Sequence, residues 1–190
     1  MFNLILFGPP GAGKGTQAKK IAEKYHLIHV STGDIFRAEI ANRSPLGLHV
    51  KDIIEKGELV PDPLLIEILL NLIKKNNPCR GFVFDGFPRT LNQAKMLDSM
   101  LQKQGEKVTM ILSLEVEETE LIRRILGRGI DSGRIDDTEE VVKNRLKVYH
   151  LHTKPLMDYY AVHGLFKRIF GKGTVGDVFE SLCQEIDALI

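Results

Sequence analysis

Gly8-Pro9-Pro10-Gly11-Ala12-Gly13-Lys14-Gly15-Thr16 stands between the apolar run Phe2 to Phe7 and an amphipathic helical pattern. Strand, glycine-rich turn and helix in this order form the setting of a phosphate-binding loop, or P-loop. The glycines leave backbone N–H groups free to surround phosphate oxygens, the helix N-terminus adds positive potential, and Lys14 brings a point charge to the β- and γ-phosphates. One position departs from the general pattern: Gly15 stands where Ser or Thr is usual, and the hydroxyl comes one residue later, on Thr16. Which oxygen approaches a nucleotide-bound Mg²⁺ therefore stays open.

Further short apolar runs follow at Leu27 to Val30, Phe82 to Phe84, Met110 to Leu114 and Leu165 to Phe170, with helical patterns between them. Continuous apolar runs alternating with helices read as buried parallel strands joined by crossover helices, so an α/β fold with helices on both faces is expected. Between the second and third runs, Asp34 to Asn42, Leu46 to Glu55 and Leu64 to Lys75 read as helices, broken at Ser44-Pro45 and Pro61-Asp62-Pro63. That exceeds one crossover, and residues 31–60 are read as a helical insertion able to move on the sheet. Gly127-Arg128-Gly129-Ile130-Asp131-Ser132-Gly133-Arg134 reads as an irregular mobile flap, after which Asp137 or Thr138 caps a long helix that Pro155 kinks or shortens.

The chain has 190 residues, 43% of them hydrophobic, enough for one compact domain with a full core. Its 26 basic and 25 acidic residues leave a net charge of +1, which argues against nucleic acid as a partner. No run approaches the ~18 apolar residues of a membrane span, and the start lacks a secretory pattern; a cytoplasmic location is expected. Cys79 and Cys183 have neither disulfide-framework nor zinc-site spacing, and His150 and His152, two apart on a helix, do not face together as metal ligands would.

Phe82-Val83-Phe84-Asp85-Gly86-Phe87-Pro88-Arg89 is a second apolar strand, and it ends in a carboxylate, a glycine and an arginine. Ligands of parallel sheets bind beyond the carboxyl ends of the strands, where the P-loop also lies. Asp85 at such a strand end suits holding water on a nucleotide-bound Mg²⁺, or capping the next helix, for which Thr90 is the nearer candidate. Arg89 suits phosphate binding. Arg145, on a helical wheel, falls inside the apolar stripe of Val141, Val142, Val148 and Tyr149, where a charge needs an anionic partner unless its stem reaches out to water.

The motifs Gly-Pro-Pro-Gly-Ala-Gly-Lys-Gly-Thr-Gln, Ser31-Thr32-Gly33-Asp34 and Asp85-Gly86-Phe87-Pro88-Arg89 together resemble the adenylate kinases, and the likeness spans essentially the whole chain. Ser132-Gly133-Arg134-Ile135-Asp136-Asp137 resembles the short-lid form, which needs no zinc. The resemblance implies a five-stranded parallel sheet of the P-loop nucleoside triphosphate hydrolase type. Residues 1–30, 61–126 and 138–190 would form the core, 31–60 the monophosphate-binding insertion, and 127–137 a short lid. It also implies Mg²⁺-assisted conversion of ATP and AMP to two ADP by a monomer.

Site roles follow from the same resemblance. Gly11, Ala12, Gly13, Lys14, Gly15 and Thr16 would hold ATP phosphates, with Arg128 toward ATP and Gly173 near its adenine. Thr32 would contact the AMP adenine, although it is also placed to cap a helix. Gly33 would permit close approach, Arg37 would bind the AMP phosphate, and Glu58, Leu59 and Val60 would close over the base that Gln93 reads. Gly86, Phe87, Pro88 and Arg89 would complete the AMP site with Arg134 and Arg145. Lys14, Arg89, Arg124, Arg128, Arg134 and Arg145 would be catalytic, with Arg134 toward the transferred phosphoryl group; the helical pattern does not separate Arg124 from Arg123, and only the resemblance selects it. The nearest rival is a kinase for UMP or CMP. A GTP-binding switch is disfavoured because nothing resembles its Asn-Lys-x-Asp motif.

Overall fold

The computed structural model describes every residue except Asn77, Gly133, Ile135 and His163, and the backbone alone of Ile130, Asp131 and Ser132. Strands β1 (Phe2–Phe7), β2 (Ile28–Ser31), β3 (Gly81–Asp85), β4 (Met110–Glu115) and β5 (Phe166–Phe170) form one sheet in the order β2-β3-β1-β4-β5. All neighbours pair in parallel, with Leu4 opposite Val83 on one side and Met110 on the other. Because side chains alternate along a strand, β1 feeds two cores. Ile5 and Phe7 join Phe82, Phe84, Leu69 and Leu97 on one face, while Leu4 and Leu6 join Val83, Ile21 and Leu182 on the other. Each fully buried Leu, Ile or Phe contributes about 1.5–3 kcal/mol, which outweighs the weak intrinsic preference of such short strands.

Helices α1 (Lys14–Tyr25), α6 (Glu118–Ser132), α7 (Glu139–Val148) and α9 (Val175–Asp187) cover the second face. The first is covered by α4 (Asp62–Lys75), α5 (Leu91–Gln102) and α8 (Leu156–Ala161), with Phe36 of α2 (Thr32–Ala41) and Val50 of α3 (Pro45–Glu55) reaching into it. The expected insertion is thus two helices after β2, and α4 starts after the Pro61 break.

Polar caps explain where several helices begin. Ser31 Oγ accepts from Asp34 N, Ser44 Oγ from Gly47 N at 3.0 Å, and Thr90 Oγ1 from Gln93 N at 3.2 Å. The cap of α2 is therefore Ser31, not Thr32, and Thr90 rather than Asp85 caps α5. Thr138 is the first residue before α7. A π-helical turn, Tyr149–Thr153, follows α7, and Pro155 then starts α8, so the expected long helix is broken there.

One expectation needs correction. Gly127 and Gly129 do not interrupt the helical pattern: α6 runs through them to Ser132. Two isolated glycines each cost only about 1 kcal/mol in a helix, which continuous backbone hydrogen bonding and the packing of Leu121 and Ile125 overcome. The rest of the expected flap includes Gly133 and Ile135, which lie outside the described residues.

Candidate active site

The carboxyl ends of β1, β2 and β3 open on a cavity of about 440 Å³. The glycine-rich turn after β1 lies along it, and α1 begins there at Lys14 with Gly13 as N-cap, so the unpaired N–H groups of the first helical turn face the cavity. Lys14, Lys19, Arg37, Arg89, Arg128, Arg134 and Arg145 line this space, with Asp34 and Asp85 as its acidic side chains. So dense a cationic wall in a partly dry cleft suits polyanionic phosphate.

Burial presses on these cations. Lys14 Nζ donates to the Gly8 and Pro9 carbonyls at 2.8 and 2.9 Å. Loss of solvent lowers its pKa to about 8, with Arg89, Arg145 and Arg128 adding repulsion that Asp85 partly offsets. The Arg89 guanidinium is lowered to about 10 by burial and by Arg145, again against Asp85. A bound phosphate would relieve both groups by supplying the missing negative charge.

Beside the phosphate cavity lies a smaller pocket lined by Thr32, Phe36, Leu59, Val60, Leu65 and Gln93, together with Gly33, Ile54, Gly57 and Glu58. Apolar walls from Phe36, Ile54, Leu59, Val60 and Leu65 beside the polar Thr32, Glu58 and Gln93 fit a flat heterocycle with hydrogen-bonding edges. Arg37, Gly86, Arg89 and Arg145 line both spaces and mark their junction. Gly86 is required there: its φ is +76°, and a Cβ would come within 3.0 Å of Arg89 Nη2 and Thr32 Oγ1. Its carbonyl accepts from Arg89 Nε at 2.7 Å and Thr32 Oγ1 at 3.0 Å.

Carboxylates hold the arginines from behind. Arg128 donates through Nε and Nη2 to both oxygens of Asp137, each at 2.7 Å. Arg145 Nη1 donates to Asp136 Oδ2 at 2.8 Å and to Asp137 Oδ1 at 3.1 Å. This supplies the anionic partner that Arg145 needs in its apolar stripe, and Asp136 and Asp137 oppose the lowering of its pKa by burial. Arg37 is paired with Asp34 at 2.5 Å, and Arg134 Nη2 lies 3.8 Å from the same carboxylate. Sequence reasoning gave Asp136 no role and Asp137 only that of a helix cap, which Thr138 takes instead; the demand of Arg145 for an anion was the signal that could have found them.

Three expected site residues lie elsewhere. Ala12 is buried among apolar side chains, and its N–H donates to Pro9 O at 3.2 Å, inside the loop itself. The Phe87 ring packs into the core against Phe84, while Pro88 and Arg89 line a neighbouring cavity against the P-loop. Arg124 does not join the phosphate cluster. Its Nε donates to Glu120 Oε1 at 2.7 Å, and its side chain lines a separate, more open cleft of about 680 Å³ with Pro9, Tyr149 and Gly173. The P-loop residue Pro9 links this cleft to the phosphate cavity along the chain, and Gly173 lines it.

Asp85 is buried at the end of β3, with Oδ2 3.4 Å from where a Cβ of Gly15 would lie. Among the described residues no group of three or more His, Cys, Asp or Glu could hold a metal ion. A single carboxylate beside the first turn of α1 suits an ion that arrives with a nucleotide and keeps part of its water.

A sequence model of the adenylate kinase family matches residues 6–165. The chain is 47% identical to an adenylate kinase of Bacteroides thetaiotaomicron over 100% of both chains. It is 48% identical to one of Parabacteroides distasonis over 98% of both, and 46% identical to one of Flavobacterium psychrophilum over 100% of both. With a parallel sheet, a P-loop and two pockets that meet at shared arginines, and with this likeness along its whole length, the chain belongs to the adenylate kinase family.

Proposed function

We propose that the chain is a phosphotransferase converting ATP and AMP reversibly to two ADP, with Mg²⁺ carried on the triphosphate. The observation that carries the reading is the junction: Arg37, Arg89 and Arg145 line both the base-sized pocket and the phosphate cavity. Two nucleotides entering from opposite sides would meet there phosphate to phosphate. An AMP phosphate oxygen would attack the γ-phosphorus while the bond to the β-bridging oxygen breaks, releasing ADP on each side. The attacking oxygen is already anionic, so alignment and charge stabilisation suffice without a general base.

In this reading Lys14 and the N–H groups of Gly13, Gly15 and Thr16 hold ATP phosphates, and the cleft of Arg124 and Gly173 receives the ATP base. Arg37, Arg89 and Arg145 hold the AMP phosphate, with Thr32, Gly33, Glu58, Leu59, Val60 and Gln93 around its adenine. Arg128 and Arg134 approach the transferred group. Asp85, through water, and the Thr16 hydroxyl are the groups that would hold the ion, which when bound neutralises charge on the β- and γ-phosphates. Residues 31–60 and 127–137 would close on the substrates and exclude water. A monomer is part of this reading, and the balanced charge supports small nucleotides rather than nucleic acid. A cytoplasmic location belongs to the same reading.

The test is ADP formation from MgATP with AMP, GMP, CMP or UMP as acceptor. Strong dependence on AMP is expected; equal or faster reaction with UMP or CMP, or none with any acceptor, would overturn the assignment. Chelation should stop the reaction without lowering the melting temperature of the ligand-free protein, and Mg²⁺ alone should restore it.

A further inference from the structure

Gln93 is almost fully buried on the wall of the base-sized pocket, and both ends of its carboxamide are engaged by groups outside that pocket's lining or by backbone. Its Oε1 accepts from the backbone N–H of Arg89 at 2.8 Å. Its Nε2 donates to Asp62 Oδ1 at 2.7 Å. The second oxygen of Asp62 accepts from Asn92 Nδ2 at 2.6 Å, which stops the carboxylate from turning away. Asp62 stands in the first turn of α4, directly after the proline that ends the insertion.

These partners are not interchangeable. A backbone N–H can only donate and an ionised carboxylate can only accept, so the carboxamide has one satisfied orientation. Flipping it would set Nε2 against the Arg89 N–H and Oε1 against the Asp62 carboxylate, losing two hydrogen bonds and creating two repulsions. After both anchors are served, one N–H and one lone pair remain for a ligand. Adenine offers a donor at its 6-position beside an acceptor at N1; guanine offers an acceptor beside a donor. A glutamine free to flip would match either edge, whereas a locked one matches only one.

We infer that Asp62 is a specificity-determining positioning residue: with the Arg89 N–H it locks the polarity of the Gln93 carboxamide, and so selects adenine over guanine in the acceptor nucleotide. The inference rests on the proposed AMP site. Specificity here arises as much from penalising the wrong base as from matching the right one.

The test measures kcat/KM for AMP and GMP at saturating MgATP in the intact protein and in Asp62→Ala, Asp62→Asn, Asn92→Ala, Gln93→Ala and Asp62→Ala/Gln93→Ala. Asp62→Ala should lower the AMP-to-GMP ratio about tenfold, mainly through the KM for AMP, because a single lost orienting hydrogen bond is at stake. Asp62→Asn keeps an acceptor oxygen and should restore the ratio to within about threefold. Asn92→Ala, farther from the pocket, should shift it in the same direction by about two- to threefold. In the Gln93→Ala background, removing Asp62 should leave the ratio unchanged, since there is no carboxamide left to orient. An unchanged ratio in folded Asp62→Ala, or an equal change with and without Gln93, would overturn the lock while AMP-dependent ADP formation by the wild type leaves the proposed function standing. Absence of AMP-dependent activity in the wild type would overturn both.

Discussion

Thr32 Oγ1 donates to the Gly86 carbonyl at 3.0 Å, across 54 positions of sequence, and so ties the start of α2 to the turn after β3. The same carbonyl accepts from Arg89 Nε at 2.7 Å. The residue proposed against the base and the residue proposed on the phosphate thus share one acceptor. Neighbouring Ser31 performs the capping that Thr32 was also placed to perform.

Substitution should separate these two hydroxyls. Thr32→Ala removes a bond inside the site, and a loss of about 0.5–1.5 kcal/mol in stability is expected together with a raised KM for AMP and an unchanged KM for ATP. Ser31→Ala removes a helix cap and should cost about 0.5–2 kcal/mol with KM values for both nucleotides near wild type. Melting curves and initial rates on the two variants check this; a selective AMP defect in Ser31→Ala instead of Thr32→Ala would reverse the assignment.

Lys14→Met should stabilise the ligand-free protein while disabling it. Burial lowers the Lys14 pKa from 10.5 to about 8, so the unfolded chain binds the proton more tightly than the folded one. The cost of holding this charge is complete below pH 8 and is relieved as pH rises toward 10.5. The methionine variant should therefore melt higher than wild type at pH 7, by of the order of 3 kcal/mol at most, and the gap should narrow steadily through that window. Turnover should fall at least about tenfold, since a preorganised phosphate-facing charge is lost. Wild-type turnover in the folded variant, or a gap that widens above pH 8, would contradict the assignment.

Gly57→Ala should damage Arg145 at a distance from the P-loop. Gly57 has φ +71°, and a Cβ there would lie 2.7 Å from Arg145 Cγ and 3.1 Å from Val141 Cγ1. An alanine in the left-handed region costs about 1–2 kcal/mol before the clash is counted. A lower melting temperature and a several-fold higher KM for AMP are expected. An unaffected KM would mean that Arg145 yields without leaving its phosphate-facing position.

The two clefts predict opposite kinetic signatures for two arginines. Arg124→Ala should raise the KM for ATP and spare that for AMP, because Arg124 lines the cleft of Gly173. Arg89→Ala should slow the reaction with every monophosphate by roughly ten- to a hundredfold, because it removes a buried charge at the junction. Steady-state kinetics with each nucleotide varied in turn decides between them.

Local pattern alone accounts for much of this protein. Five runs become strands in chain order: β1, β3 and β4 are buried on both faces and so need a continuous apolar stretch, while the edge strand β5 buries only Ile169. The turn after the first becomes a P-loop because glycines, lysine and helix start are neighbours in the chain. Caps such as Thr90 are legible for the same reason, since their partners lie three residues away. Partners that lie far apart, or on a common helical face, are set by packing instead. Arg124 and Arg123 are adjacent, and only the position of α6 beside Gly171 and Gly173 sends Arg124 to the outer cleft. Phe87 and Pro88 are adjacent too, yet the core beneath β3 takes the ring and leaves the proline to the cavity. Asp136 and Asp62 look like ordinary surface acids in sequence, and Asp137 like a helix cap. Their roles arise when packing places them beside Arg145, Arg128 and Gln93, where a charge or amide wholly or partly removed from water must find a partner.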